Sequence, residues 1–112
     1  MKCPKAIQDF PGKHRGKVVR DVPLSMIAIP DVWSPHRYED AYRLLKERGS
    51  IPPIDVYWRK EIGKFGISDG IHRTNAARDL GYTGIPAQMY PSEAKILDKP
   101  QKLQMTKGRM GR

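Results

Sequence analysis

Residues 65–80 read FGISDGIHRTNAARDL, and this stretch decides the fold. Its first four residues are typical of the end of a β-strand, and Asp69-Gly70 is a tight-turn pair. Ile71 to Leu80 follows as a short helix whose apolar face is formed by two alanines and Leu80. The pattern therefore predicts a strand that turns directly into a helix.

This turn predicts an anion site, most naturally for phosphate. A glycine turn that leads into a helix brings free backbone N–H groups and the positive end of the helix dipole to one point. His72 and Arg73 add hydrogen-bond donors and positive charge in the same first turn. Thr74 either offers a hydroxyl to the phosphate or simply occupies a helical position. The predicted phosphate-binding residues are thus Gly70, His72, Arg73 and Thr74.

Asp69 places a carboxylate at the same point of the chain. A carboxylate there is a candidate ligand for Mg²⁺ and a candidate catalytic group that accepts a proton. The residues alone leave two plainer readings open, since Asp69 is equally suited to a turn or to the N-cap of the helix.

Length and composition restrict the class of protein. The 112 residues suffice for one small domain, and the single cysteine, Cys3, excludes an internal disulfide and a cysteine-rich zinc site. No apolar run approaches the roughly 20 residues of a membrane span. The N-terminus has no apolar core typical of a signal peptide. We therefore expect a cytoplasmic protein without membrane contact.

The formal net charge of +9 is unevenly distributed. Residues 1–20 carry +5, residues 91–112 carry +4, and residues 21–90 are neutral overall. Basic ends of this kind bind DNA through counterion release without reading its sequence, although they also serve solubility or contacts with acidic partners. The predicted nucleic-acid contacts are Lys13, Arg15, Lys17, Lys107 and Arg109.

The hydrophobic pattern predicts a small α+β domain with a mixed β-sheet and two to three covering helices. The predicted domain spans residues 17–98, between a basic N-terminal arm (1–16) and a basic C-terminal tail (99–112). The predicted elements are an extended segment from Val18 to Ile29, a helix from Tyr38 to Arg48, strands at Ile54 to Trp58, Lys64 to Ser68 and Ile85 to Met89, the helix at Ile71 to Leu80, and a last short helix from Pro91 to Leu97.

Residues 22–87 resemble the ParB/sulfiredoxin-like superfamily in three segments that occur in the expected order. These are Gly49 to Val56 (GSIPPIDV), Asp69 to Arg73 (DGIHR) with Asn75-Ala76-Ala77 after it, and Leu80 to Pro86 (LGYTGIP). The resemblance implies that Gly70, His72 and Arg73 hold the phosphates of a nucleotide, either ATP or CTP, with Asp69 beside them. Mg²⁺ is the metal that such a nucleotide implies.

This sequence departs from the superfamily pattern at several positions, and these differences exclude some of the superfamily's activities. Ile71 occupies the position of the reactive cysteine of sulfiredoxins, so sulfinic-acid reductase activity is not expected. Segregation-type ParB proteins have a third nucleotide-binding motif and continue into a helix-turn-helix domain. This sequence lacks that motif and has no room for such a domain before Arg112, so a DNA clamp of the segregation type is not expected. The motif at Asp69 to Arg73 is close to the Asp-Gly-His-His-Arg of small-metabolite kinases, for which Asp31 and Glu39 are weak candidates as the second acid.

Three functional hypotheses follow. The first is a nucleotide-binding module that associates with DNA through its basic ends. The second is a Mg²⁺-dependent ATPase, kinase or nuclease that uses the same site. The third is a DNA-binding accessory protein that binds no nucleotide. Trp33 is either a loop anchor or a base-stacking residue, and a homodimer is left open.

Overall fold

The computed structural model describes residues 1–99 of the chain. This part of the chain has six strands and three helices, with one 3₁₀ turn at Leu24–Met26. The elements are β1 (Lys5–Ala6), β2 (Val18–Pro23), α1 (Pro35–Arg48), β3 (Ser50–Ile51), β4 (Ile54–Arg59), β5 (Lys64–Asp69), α2 (Ile71–Asp79), β6 (Gly84–Met89) and α3 (Pro91–Leu97).

The main sheet has four strands in the order β2-β6-β4-β5. Strand β6 pairs antiparallel with β2 and parallel with β4, and β5 pairs antiparallel with β4, so the sheet is mixed. All six residues of β6 are buried, as a central strand requires. Together with helices α1 to α3, this sheet confirms the predicted α+β class.

The core lies between this sheet and helices α1 and α2, which pack against each other. Helix α2 contacts β4 and β6, and α3 packs against β2. The largest fully buried side chains include those of Leu45, Ile51, Ile54, Phe65 and Ile85. Among the described residues, no helix is long and apolar enough to cross a bilayer.

Helix α1 begins three residues earlier than its apolar pattern predicts. The hydroxyl of Ser34 accepts a hydrogen bond from the backbone N–H of Arg37 at 3.3 Å, and Pro35 occupies the first helical position. Both features stabilise a helix start. The extended segment predicted from Val18 to Ile29 is also shorter, because the chain leaves the sheet after Pro23.

The N-terminal segment, residues 1–17, contains the predicted basic arm (1–16) and has more regular structure than its composition indicates. Strand β1 pairs in parallel with β3, and the backbone N–H of Lys5 and of Ile7 donate to the carbonyls of Gly49 and Ile51. Phe10 is buried. The segment therefore packs against the domain, whereas the tail predicted from residue 99 onward falls almost wholly outside the described residues.

Candidate functional site

Gly70 joins strand β5 to helix α2 in a conformation that only glycine adopts readily. Its φ of 117° lies in the left-handed region, and a Cβ atom there would lie 2.6 Å from the Cβ of Ile54 and 3.0 Å from Nη2 of Arg73. The first helical hydrogen bond runs from the Thr74 N–H to the Gly70 carbonyl. No side chain caps α2 at Gly70, so the N–H groups of its first turn point to a ligand or to water.

The guanidinium of Arg73 lies beside this helix start, and its side chain is only 20% exposed. Burial lowers the pKa of Arg73, and the neighbouring Asp69 carboxylate partly opposes that shift. Within residues 1–99, its one hydrogen-bonded side-chain partner is Asp69, at a long 3.4 Å between Nη2 and Oδ2. A partly desolvated guanidinium with so weak a partner is well suited to bind an anion.

Two cavities open on either side of Asp69 and Arg73, which line both of them. The α1-side pocket has a volume of about 200 Å³ and is lined by Arg37, Ala41, Asp69, Gly70, His72 and Arg73. The N-terminal-side cleft has a volume of about 320 Å³ and is lined by Phe10, Pro11, Gly12, Pro52, Pro53, Asp55, Asp69, Arg73 and Gln88.

His72 lines the α1-side pocket, but its hydrogen bonds differ from those of a simple phosphate ligand. Its Nε2 atom accepts from the backbone N–H of Ser34 at 3.0 Å and of Trp33 at 3.4 Å. Burial lowers the pKa of His72, and the charge of Arg37 lowers it further. The imidazole is therefore neutral with Nε2 as an acceptor, so only Nδ1 is left to donate to a ligand.

Thr74 does not reach either cavity. Its side chain is fully buried, and its hydroxyl donates to the carbonyl of Gly70 at 2.8 Å. Of the two roles predicted for Thr74, this position favours the plain helical one, because a buried hydroxyl needs a hydrogen-bond partner and finds it in the backbone.

The predicted nucleic-acid contacts are placed in different surroundings. Lys13 and Arg15 are exposed on the loop before β2. Lys17 is not free, because its Nζ atom lies 2.8 Å from Oδ1 of Asp55 and its side chain is only 12% exposed. Lys107 and Arg109 lie outside the described residues.

Sequence reasoning missed three residues that line the cavities with polar side chains: Arg37, Asp55 and Gln88. One local signal pointed to Arg37, since it lies in the first turn of α1, where acidic side chains are favoured and none is present. No comparable signal marks Gln88. Its amide donates to the Gly12 carbonyl at 2.8 Å and accepts from the His14 N–H at 3.0 Å.

The acidic residues do not form a metal cage. Among residues 1–99, no group of three or more histidine, cysteine or acidic side chains is placed to hold a metal ion. Asp69 is 76% exposed at the rim of both cavities. It fits a Mg²⁺ ion that keeps most of its waters and is held mainly by phosphate oxygens, which is how this ion usually binds.

Comparison with known proteins establishes the family. The model of the ParB N-terminal domain matches residues 11–105, and the chain belongs to this family. No curated protein sequence matches the chain.

Solved structures show the same fold. SbnI with a C-terminal truncation from Staphylococcus aureus is 25% identical over 66% of this chain and 31% of its own, with a TM-score of 0.55. The chromosome-partitioning protein ParB from Caulobacter crescentus, complexed to the centromeric parS site, is 27% identical over 63% of this chain and 38% of its own, with a TM-score of 0.52. Its complex with CTP-gamma-S is 20% identical over 72% and 49% of the two chains, with a TM-score of 0.55.

Sulfiredoxin from Arabidopsis thaliana is 23% identical over 62% of this chain and 81% of its own, with a TM-score of 0.52. The likenesses to sulfiredoxin and to the CTP-gamma-S complex concern the fold alone. This chain spans less than half of the SbnI and ParB chains that it matches. The predicted superfamily and its fold are therefore confirmed.

Proposed function

We propose that this ParB-like domain binds a nucleoside triphosphate by its phosphates at the start of helix α2. The observation that carries the proposal is the partly desolvated guanidinium of Arg73 beside the uncapped N–H groups that follow Gly70. Membership of the ParB family, one of whose proteins was solved with a CTP analogue, supports the same assignment.

The charges around the α1-side pocket suit a polyphosphate. Arg37 and Arg73 both line it, so an anion there lies near two guanidinium groups and the positive end of α2. Gly70 permits the tight turn that brings the start of α2 to this pocket, because it has no Cβ to collide with Ile54 and it adopts the left-handed backbone. Asp69 would hold the accompanying Mg²⁺ through an oxygen, and the ion would neutralise phosphate charge there.

Calorimetric titration with ATP and with CTP, each with Mg²⁺, tests this function. Arg73→Ala removes the charge that lies closest to the helix start, so we expect at least a tenfold loss of affinity. Arg43→Ala removes an exposed arginine of α1 that lines neither cavity, and it should bind like the wild-type protein. Failure of the wild-type protein to bind either nucleotide would overturn the proposal, and the two titrations together report which base is preferred.

We further propose that the domain contacts DNA through exposed basic residues, of which Lys13 and Arg15 belong to the described part of the chain. A ParB protein bound to its parS site is among the related structures. Contacts of this kind are made to phosphates, so binding should weaken steeply with salt. A fluorescence-anisotropy titration of a DNA duplex at several salt concentrations measures this slope. The same samples, examined by light scattering, show whether the protein is a monomer or a homodimer.

One observation favours phosphoryl transfer as a second candidate function. The N-terminal-side cleft shares Asp69 and Arg73 with the α1-side pocket, so a second molecule there would lie next to the bound phosphates. Asp69 would then accept the proton of an attacking hydroxyl or water. Incubation of labelled ATP or CTP with Mg²⁺ distinguishes the two functions. Tight binding without any product excludes the enzyme, whereas product that disappears in Asp69→Asn supports it.

A further inference from the structure

Trp33 is the most exposed aromatic residue near the candidate site. Its residue exposure is 63%, which is unusual for so large an apolar side chain in a small domain. The indole contacts the ring of His72 edge-on, with 4.8 Å between centroids, and the guanidinium of Arg37 lies 5.1 Å from the indole centroid. Both neighbours line the α1-side pocket, so Trp33 lies directly beside that pocket.

The backbone of Trp33 is held in place although its ring is exposed. The N–H groups of Trp33 and Ser34 both donate to Nε2 of His72, which is itself buried in the first turn of α2. Ser34 then caps α1. A residue that merely anchors a loop would bury its ring, whereas here the backbone is anchored and the ring is presented to solvent. This arrangement favours a binding role for the indole.

The size of the α1-side pocket shows where the rest of a nucleotide must go. Its volume of about 200 Å³ is below the range of about 300–1,000 Å³ that is usual for sites enclosing a whole ligand. A nucleotide whose phosphates contact Gly70 and Arg73 therefore extends beyond this pocket. Beside this pocket, on the side of α1, lie two planar side-chain groups that a base could stack on, the indole of Trp33 and the guanidinium of Arg37.

We infer that Trp33 is a stacking platform for the base of the nucleotide, and that His72 is the residue that positions it. This inference rests on the proposed nucleotide-binding function and assigns the part of the site that contacts the base. Stacking on an aromatic ring tolerates any base, because every base has a π-face. The indole thus contributes affinity for nucleosides in general, and Arg37 adds a second flat, cationic surface.

A comparison between nucleotides and inorganic tripolyphosphate tests the inference, because tripolyphosphate has the phosphates without the base. Trp33→Ala should weaken the binding of ATP and CTP about five- to a hundredfold and leave tripolyphosphate binding unchanged. Trp33→Phe keeps an aromatic face and should retain most of the affinity. The ring of Trp33 is exposed, so neither variant is expected to impair folding.

Fluorescence gives an independent readout of the same contact. The chain has two tryptophans, Trp33 and Trp58, so a Trp58→Phe variant reports on Trp33 alone. Its emission should be quenched by ATP or CTP and unchanged by tripolyphosphate. Equal losses for nucleotides and tripolyphosphate in Trp33→Ala, or no loss at all, would overturn the inference. If the wild-type protein binds neither kind of ligand, the proposed function itself fails.

The role of His72 is tested with the same ligands. His72→Ala removes the acceptor for two backbone N–H groups, so it should weaken nucleotide binding and lower the fluorescence anisotropy of Trp33 in the free protein. His72→Gln keeps an acceptor and should restore part of both. Tripolyphosphate reports any contact between Nδ1 of His72 and the phosphates. If His72 acts on the base through Trp33, the part of the affinity that nucleotide has over tripolyphosphate is no smaller in the double variant His72→Ala/Trp33→Ala than in Trp33→Ala. Additive losses would contradict the positioning role.

Discussion

The turn at residues 68–73 and the N-terminal segment (residues 1–17) lie on opposite sides of the N-terminal-side cleft, and they are held by different forces. The turn is built from neighbours in sequence, since Asp69 ends a strand, Gly70 supplies the left-handed backbone and Arg73 lies one helical turn away. The N-terminal segment is instead held by hydrogen bonds to Gln88, which lies 74 and 76 positions further along the chain from His14 and Gly12.

This difference shows that composition is a poor guide to whether a terminal segment is free. Residues 1–17 are rich in proline, glycine and lysine, which is typical of a loose arm. One buried amide nevertheless secures the stretch from Gly12 to His14, and one ion pair, between Lys17 and Asp55, secures its end. A few polar contacts thus hold this segment against the domain, where its residues line the N-terminal-side cleft.

Gly70→Ala should lower the stability of the protein more than any other substitution considered, because it disrupts the local geometry of the turn. The new Cβ has no space beside Ile54 and requires a strained backbone at φ 117°. We expect a loss of about 2–4 kcal/mol in the free energy of unfolding, measured by urea denaturation.

Gly63→Ala is the matched control for this substitution. Gly63 also has a positive φ, of 65°, but a Cβ there meets no atom within 4 Å. It should cost only about 1 kcal/mol, from the backbone alone. Equal losses in the two variants would mean that the contact with Ile54 does not explain the need for glycine at position 70.

Gln88→Ala should separate the N-terminal segment from the turn. It leaves the Gly12 carbonyl and the His14 N–H without their partner and should cost about 1–3 kcal/mol. Hydrogen exchange should rise in residues 10–17 and stay unchanged in α2. Gln8→Ala, at an exposed position of the same segment, serves as the control. Unchanged protection of residues 10–17 would show that packing of Phe10, rather than Gln88, holds the segment.

The turn, unlike the N-terminal segment, should become less stable in mild acid because of His72. Burial lowers the pKa of this imidazole in the folded protein, so the unfolded chain binds a proton more readily. Stability from this group is complete above the ordinary histidine pKa of about 6.5 and is lost as the pH falls through the lower pKa of the folded state. Urea denaturation at several values between about pH 5 and 8, the range in which histidine titrates, measures this loss of stability.

His72→Gln should flatten that pH profile, since glutamine does not titrate. His36→Gln, which replaces an exposed histidine of α1, is the matched control for the loss of one imidazole. If the two variants behave alike, a group other than His72 is responsible for the acid sensitivity.

The smallest effect is expected on the salt dependence of DNA binding. Substitution of Lys13 should change it, whereas substitution of Lys17 should not. Lys13→Gln removes an exposed charge and should reduce the slope of log K against log salt by about 1. Lys17 is paired with Asp55 and lies 5.0 Å from the ring of Tyr90, so Lys17→Gln should leave the slope unchanged. Equal changes in slope would mean that Lys17 leaves Asp55 to contact DNA.

Much of the fold was predictable because its signals are local. Strand β5, helix α2 and the Gly70 turn were predicted to within a residue or two, since each depends on residues that are adjacent or one helical turn apart. The two roles left open for Thr74 could not be separated from the sequence, because a threonine hydroxyl is able to bond either to a ligand or to the backbone one helical turn earlier. The start of α1 was missed because its cap, Ser34, lies before the apolar pattern begins.

The sequence by itself determined the strand-turn-helix unit at residues 64–79 and its concentration of charge, because backbone conformation and the helix dipole act over a few residues. Only the tertiary structure decided what surrounds that unit. It placed Arg37 and Trp33 on one side and the N-terminal segment on the other, and it made His72 a hydrogen-bond acceptor for residues 33 and 34. These placements depend on which distant groups meet when the core forms, and hydrogen bonds between residues 38 to 76 positions apart leave no periodic signal in the sequence.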